Sequence, residues 1–426
     1  MTSPTNTTVK TSEAPQTSYG GALMILATLF FMWGFCTVLN DILVPHLKAV
    51  FTMNYVQTML IQFAFFGSYF VLSIPSAKLI ERIGYKYSIM IGLAVMGCGC
   101  LTFIPAAGLP SYGLFLTAFF ILAGGITLLQ VAANPYAAVL GPEKTASSRL
   151  NLVQAFNSLG TFIAPTFGSI LILSRTTAGT AAAGSTETWA QHLVDARAVQ
   201  MPYLGIAIVL FVLAALFFVS RLPAISTHPD TEEEARDSLW KHKFLVLGVI
   251  AIFVYVGAEV TIGSFLISYI SSPHISHMTP ASAANYITFY WGGAMVGRFV
   301  GAAAMRIRPP SKMLADNCIA AALLIAASMI ASGPLAMWAI LLVGICNSIM
   351  FPTIFTLAIR GLGPLTGRGS GALIMAIFGG AVMPMLQGAV ADAFGLVISF
   401  VIPAICYLFI WYYARGNYDA EMNAVK

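Results

Sequence analysis

One pattern repeats along the chain: an apolar stretch long enough to cross a bilayer, a short polar break, then another stretch. Such runs fall at about 21–46, 56–80, 87–106, 111–138, 148–174, 200–220, 243–270, 282–304, 313–331, 334–359, 368–394 and 396–414. About 20 helical residues span the roughly 30 Å hydrocarbon core, and a helix satisfies its own backbone polar groups, as lipid requires. The pattern therefore predicts an all-α membrane protein with twelve transmembrane helices. Composition agrees: 9% of the 426 residues are charged and 58% hydrophobic, where soluble domains carry about 25% charged residues.

Twelve spans place both ends of the chain on one side, and basic residues decide which side that is. Seventeen of the 21 Lys and Arg residues fall on the side of the termini, three (Lys48, Arg175, Arg197) on the other, and Arg298 lies within the eighth run. That asymmetry predicts cytoplasmic termini in a bacterial inner membrane. The same scatter of basic residues along the chain argues against a nucleic-acid partner. Residues 1–20 are polar and Thr/Ser-rich, without the short apolar core and cleavage site of a signal peptide.

The segment 221–243 is the longest charged stretch and holds Glu232, Glu233 and Glu234. It divides the runs into two sets of six, 21–220 and 244–414, between tails at 1–20 and 415–426. The external loop 175–199 is rich in small residues, the composition of a flexible linker. Gly160, Pro165 and Gly168 of the fifth run are echoed by Gly380, Pro384 and Gly388 of the eleventh. Two pseudo-symmetric six-helix bundles around a central cavity are the architecture of alternating-access transporters, and the expected unit is a single chain.

Ionisable residues at membrane depth are candidates for function because a charge there costs several kcal/mol. Asp41 shares a face of the first helix with Gly34 and Thr37. Glu259 lies in the seventh, in line with Tyr255 and Gly263. Either carboxylate could instead serve as a helix-to-helix lock. Measured along each helix, Arg298 falls roughly 10 Å nearer the cytoplasm than Glu259, so its expected behaviour is to snorkel. Uncharged polar groups, mostly amides, form a second set: Thr127, Gln130 and Asn134 on the fourth helix, Asn151, Gln154 and Asn157 or Ser158 on the fifth, Asn347 and Ser348 on the tenth. An amide both donates and accepts, which matches the hydroxyls of a sugar. Trp33, Tyr290 and Trp291 offer aromatic faces. No nucleotide-binding loop, nucleophile elbow or spaced His/Cys cluster occurs, so neither an enzyme, a metal site nor a bound cofactor is expected.

The stretch AKLIERIGYK (Ala77 to Lys86) resembles the loop 2–3 signature of the major facilitator superfamily, with Glu81 and Arg82 as its acidic–basic pair. The stretches LNDILVPHLKAVF (Leu39 to Phe51), VAANPYAAVLGPE (Val131 to Glu143) and RLNLVQAFNSLG (Arg149 to Gly160) resemble the fucose–galactose–glucose symporter family. The resemblance implies the major facilitator fold and proton-coupled hexose uptake. The family's acidic residue in helix 1 falls on Asp41 and its helix 5 asparagine on Asn157. Its helix 4 glutamate falls on Gln130, which cannot titrate. YVGAEVTIGSF (Tyr255 to Phe265) is similar to the glucose/galactose branch. The expected proton sites are thus Asp41 and Glu259. The expected sugar contacts are Asn40, Gln130, Asn134, Gln154, Asn157, Asn347 and Trp291. A latch is expected at Glu81 and Arg82, with a counterpart at Arg306 and Arg308. Rival readings are coupling to Na⁺ instead of a proton, uptake of L-fucose or N-acetylglucosamine, and a sugar sensor that does not transport.

Overall fold

The computed structural model of the protein describes residues 19–50, 55–109, 111–171, 199–220, 222–223 and 238–425. All secondary structure among them is helical. The helices are α1 (Tyr19–Val50), α2 and α3 within one bent run (Tyr55–Gly108), α4 (Tyr112–Val139), α5 (Ala146–Leu171) and α6 (Gln200–Val219). The second set comprises α7 (Lys243–Ile270), α8 (Pro280–Ala304), α9 (Pro310–Ile330), α10 (Gly333–Ile359), α11 (Gly363–Phe394) and α12 (Leu396–Val425). Local chemistry marks several starts. Ser111 accepts from the Leu114 N–H ahead of α4, and Thr279 accepts from the Ser282 N–H ahead of α8, whose first residue is Pro280. The bend between α2 and α3 is at Gly84, with φ 77°, inside the loop 2–3 signature. A side chain there would be strained.

Within the first half α1 packs on α5, α3 on α6, and α4 on α2 and α3; in the second α7 packs on α11, α9 on α12, and α10 on α8 and α9. The same pairings recur six helices apart, which is the pseudo-symmetry of two six-helix bundles. Glycine sets the closest crossings. A Cβ on Gly160 would lie 2.2 Å from the Phe31 carbonyl of α1, and one on Gly379 would lie 2.0 Å from the Phe253 carbonyl of α7. The echo of Gly160 is thus Gly379 by contact, one residue from the Gly380 that spacing picks out. The halves meet through α5 against α8 and α10, and α11 against α2 and α4.

Nine stretches among the described residues have the length and mean hydropathy of a spanning helix. One of them, Phe63–Gly108, contains both α2 and α3; the helices outside the nine are α5 and α8. Those two face each other across the seam between the halves, and their sequences are diluted by Asn151, Gln154, Asn157 and Arg298. A helix lining an interior has less need to be apolar all round. Two boundaries differ from the sequence reading: α1 continues to Val50, and the tail at 415–426 continues α12 as helix to Val425. Residues 1–18, the external loop 175–199 up to residue 198, Arg221 and Glu232 to Glu234 lie outside the described residues.

Candidate functional site: a polar interior across the seam

In the first half the amides of α4 and α5 turn inward and are buried. Gln154 Nε2 donates to Asn134 Oδ1 at 3.1 Å, and Gln130 Nε2 donates to the Tyr69 hydroxyl of α2 at 2.9 Å. Asn157 Nδ2 donates to the Phe30 carbonyl of α1 at 3.0 Å, at the crossing where Gly34 admits the Asn157 backbone. Asn134 Nδ2 has no protein partner although the residue is fully buried. An unpaired donor in a dry interior costs about 1–3 kcal/mol, and such a group suits a ligand oxygen.

In the second half α10 is interrupted between Asn347 and Met350. Pro352 has no N–H for the Ser348 carbonyl four residues back. That carbonyl accepts instead from Arg298 Nε at 3.0 Å, and the Asn347 carbonyl lies 3.0 Å from the Tyr255 hydroxyl. Each polar atom of the Asn347 side chain has one partner: Nδ2 donates to the Tyr290 hydroxyl at 2.8 Å, and Oδ1 accepts from the Tyr407 hydroxyl at 2.6 Å, which leaves a second N–H and a second lone pair. Broken membrane helices are tolerated where neighbouring side chains take up the freed backbone groups.

Glu259 stands beside this break. Its Oε1 lies 2.9 Å from the Tyr255 hydroxyl and 3.9 Å from Arg298 Nη2, with side-chain exposures of 14% for Glu259 and 13% for Arg298. This corrects the expectation that Arg298 snorkels well below Glu259. Counting residues along each helix leaves out the stagger between α7 and α8 and the length of the arginine side chain. Arg298 Nη1 also donates to the Ser158 hydroxyl of α5. One guanidinium therefore touches α7, α10 and, across the seam, the first half. Trp291 is 43% exposed, stands edge-on to Tyr290 and rests on Gly263.

At the end carrying most of the basic residues, the two halves are joined. Ser147 and Thr356 hydroxyls are 2.6 Å apart, Ser148 donates to the Ala302 carbonyl at 2.5 Å, and Ser370 donates to the Val131 carbonyl at 2.8 Å. Asn151 Nδ2 reaches Thr353 Oγ1 at 3.5 Å. Among the described residues, two ion pairs edge this seam: Glu81 with Arg368, and Glu143 with Arg360 at 3.8 Å. Of the expected latch residues, Glu81 bridges the halves through Arg368, whereas Arg82, Arg306 and Arg308 are exposed. Sequence reasoning missed Arg368, Arg360, Tyr69 and Tyr407. A signal for Arg368 was present, since Gly141-Pro142 with Arg149 after α4 is echoed by Gly363-Pro364 with Arg368 after α10. For Asn40 and Asp41 the description stops at the backbone of α1, and their side chains lie outside it.

Residues 22–380 match the Major Facilitator Superfamily as a family. The chain belongs to the major facilitator superfamily. Among superfamily members it is 50% identical over 411 residues to a glucose/galactose transporter of Brucella abortus, covering 96% of this chain and 97% of that one. It is 36% identical over 419 residues to the L-fucose-proton symporter of Escherichia coli, covering 95% of each. A crystal structure of the fucose transporter in an outward conformation superposes with a TM-score of 0.86 at 35% identity, over 94% of this chain and 99% of that chain. These superfamily relatives are transporters, and the protein is a multi-pass membrane transporter, not an enzyme.

Proposed function

We propose that the protein takes up a hexose of the glucose/galactose type by proton symport, through alternating access of two six-helix halves. The observation that carries this reading is the polar interior itself. Buried amides of α4 and α5 lie against a seam closed at one end, Asn151 of α5 reaches Thr353 of α10 across it, and Asn134 Nδ2 is left without a partner. The full-length likeness to a transporter of glucose and galactose supports the choice of sugar. The halves are 21–220 and 244–414, joined by a linker at 221–243 and flanked by tails at 1–20 and 415–426, and the transporting unit is one chain. The closed end faces the cytoplasm together with both termini, in agreement with the basic residues there.

In this reading the closed seam is the outward-facing form. A proton enters at Asp41, with Glu259 as a second site, and the sugar is held by Asn40, Gln130, Asn134, Gln154, Asn157, Asn347 and Trp291. The halves then rock, and Glu81, Arg82, Arg306 and Arg308 govern opening toward the cytoplasm. One proton moving through 100 mV supplies about 2.3 kcal/mol, roughly a fortyfold sugar gradient.

The test is uptake of labelled glucose, galactose, mannose, fucose and N-acetylglucosamine into proteoliposomes under an imposed pH or sodium gradient, for wild type and Asp41→Asn. A pH gradient should drive glucose or galactose uphill, and Asp41→Asn should retain only counterflow. Uphill uptake that follows sodium at fixed pH would overturn proton coupling. Sugar binding without counterflow would overturn transport.

A further inference from the structure

We propose that Arg298 is the positioning residue through which the charge of Glu259 acts on the seam between the halves. The inference rests on the alternating-access reading above. A guanidinium carries five N–H donors in a rigid fork and cannot shed its proton. Here each arm has its own partner: Nε takes the Ser348 carbonyl at the break in α10, Nη1 takes Ser158 of the first half, and Nη2 faces Glu259. The site is electroneutral while Glu259 is ionised. A proton on Glu259 removes the only carboxylate paired with Arg298 among the described residues and leaves an uncompensated cation inside the closed seam, away from the water that would solvate it. Parting the halves breaks the bond to Ser158 and admits water to the guanidinium. Protonation of Glu259 therefore drives opening at the end that the seam now closes.

The Tyr255 hydroxyl fits the same account. It has one hydrogen and lies within bonding distance of two acceptors, Glu259 Oε1 and the Asn347 carbonyl. With Glu259 ionised the hydroxyl serves one of them at a time. With Glu259 protonated, the acid donates to Tyr255 and Tyr255 donates to Asn347, so both contacts are made. The titratable and charged groups facing Glu259 are Tyr255 on its own helix, Arg298 and Tyr290 on α8, and Tyr407 on α12; Cys346 of α10 adjoins Tyr290. From α11, Met383 packs against α7 at Gly257. Of these groups only Arg298 and Glu259 belong to side-chain types that are charged in water near neutral pH.

The experiment places a reporter cysteine at Ile80, which is fully buried in the closed seam beside Gly367. Its labelling by a membrane-impermeant maleimide is followed in nanodiscs and compared with the same protein lacking that cysteine. Glu259→Gln should raise labelling about threefold or more by populating the open form. The double variant Glu259→Gln/Arg298→Gln should lower it from the Glu259→Gln level to that of Ser158→Ala, since no buried cation is left behind and only the bond to Ser158 is lost. Ser158→Ala, a change small enough to leave folding intact, should raise labelling while Glu259 is still ionised. Equal labelling of Glu259→Gln and the double variant, with sugar still raising labelling in the wild type, would overturn the role of Arg298 alone. If sugar never raises wild-type labelling, the alternating-access reading falls too.

Discussion

Replacing Asn347 with Leu keeps the side-chain shape and removes both polar atoms. The Tyr290 and Tyr407 hydroxyls, 2.8 Å and 2.6 Å from Asn347 in the native protein, are both buried and lose this shared partner. Interhelical hydrogen bonds in membrane proteins average about 0.6 kcal/mol with a maximum near 1.7, while orphaning a buried group in a protein costs about 1–3 kcal/mol. Two such bonds place the cost of Asn347→Leu at about 1–3 kcal/mol. The assay is equilibrium unfolding of the purified protein in mixed micelles with rising SDS. Tyr290→Phe and Tyr407→Phe added to Asn347→Leu should recover about half of that loss, because removing every partner of a buried bond is far cheaper than removing one. A single Asn347→Leu that unfolds with the wild type would refute the argument, as would a triple variant less stable than the single one.

Three further outcomes follow from the geometry. Arg368→Gln removes a bridge whose side chains are 50% and 25% exposed, so it should cost the closed form only about 0.2–1 kcal/mol. It should raise maleimide labelling at Ile80→Cys up to about fivefold at low salt and less at high salt. Gly160→Leu drives a side chain into the Phe31 carbonyl, which a Cβ would already approach to 2.2 Å; thermal unfolding should show a loss of about 3 kcal/mol or more. Asn134→Leu removes the unpaired buried donor and should weaken sugar binding by about tenfold, read by isothermal titration, while unfolding should show a loss of about 1–3 kcal/mol because Gln154 Nε2 loses its acceptor.

The number of helices and their pairing in two sets were legible because lipid leaves one acceptable backbone solution and hydropathy reports it directly. The amide faces of α4 and α5 were legible from helical spacing. Interactions between helices were not. Arg298 looked peripheral when depth was counted along its own helix, yet it reaches the α7 carboxylate and the α5 hydroxyl. The interruption of α10 had a sequence cue in Pro352, whose missing N–H frees the Ser348 carbonyl. What accepts that freed bond depends on which helix packs alongside. Glu81 stands out in its motif, while Arg368, its ion-pair partner from the other half, becomes visible only once α2 and α11 are seen to meet.

The chemistry of the seam bears on how such a machine stays reversible. Among the described residues, apart from Arg298 on Ser158, the buried hydrogen bonds between oxygen and nitrogen groups that close it are neutral: Ser147 to Thr356, Ser148 to Ala302, Ser370 to Val131 and Asn151 to Thr353. At the membrane average of about 0.6 kcal/mol each, together they hold the seam by roughly 2–3 kcal/mol. That is close to the 2.3 kcal/mol or so carried by one charge across 100 mV. Buried ion pairs in their place would cost several kcal/mol to break, more than a single proton could return. Replacing Ser147 and Thr356 together by Glu and Lys should therefore trap the closed form. Counterflow should fall about tenfold or more while the sugar still binds from the open side, and a double variant that exchanges sugar at the wild-type rate would sink this account of the neutral seam.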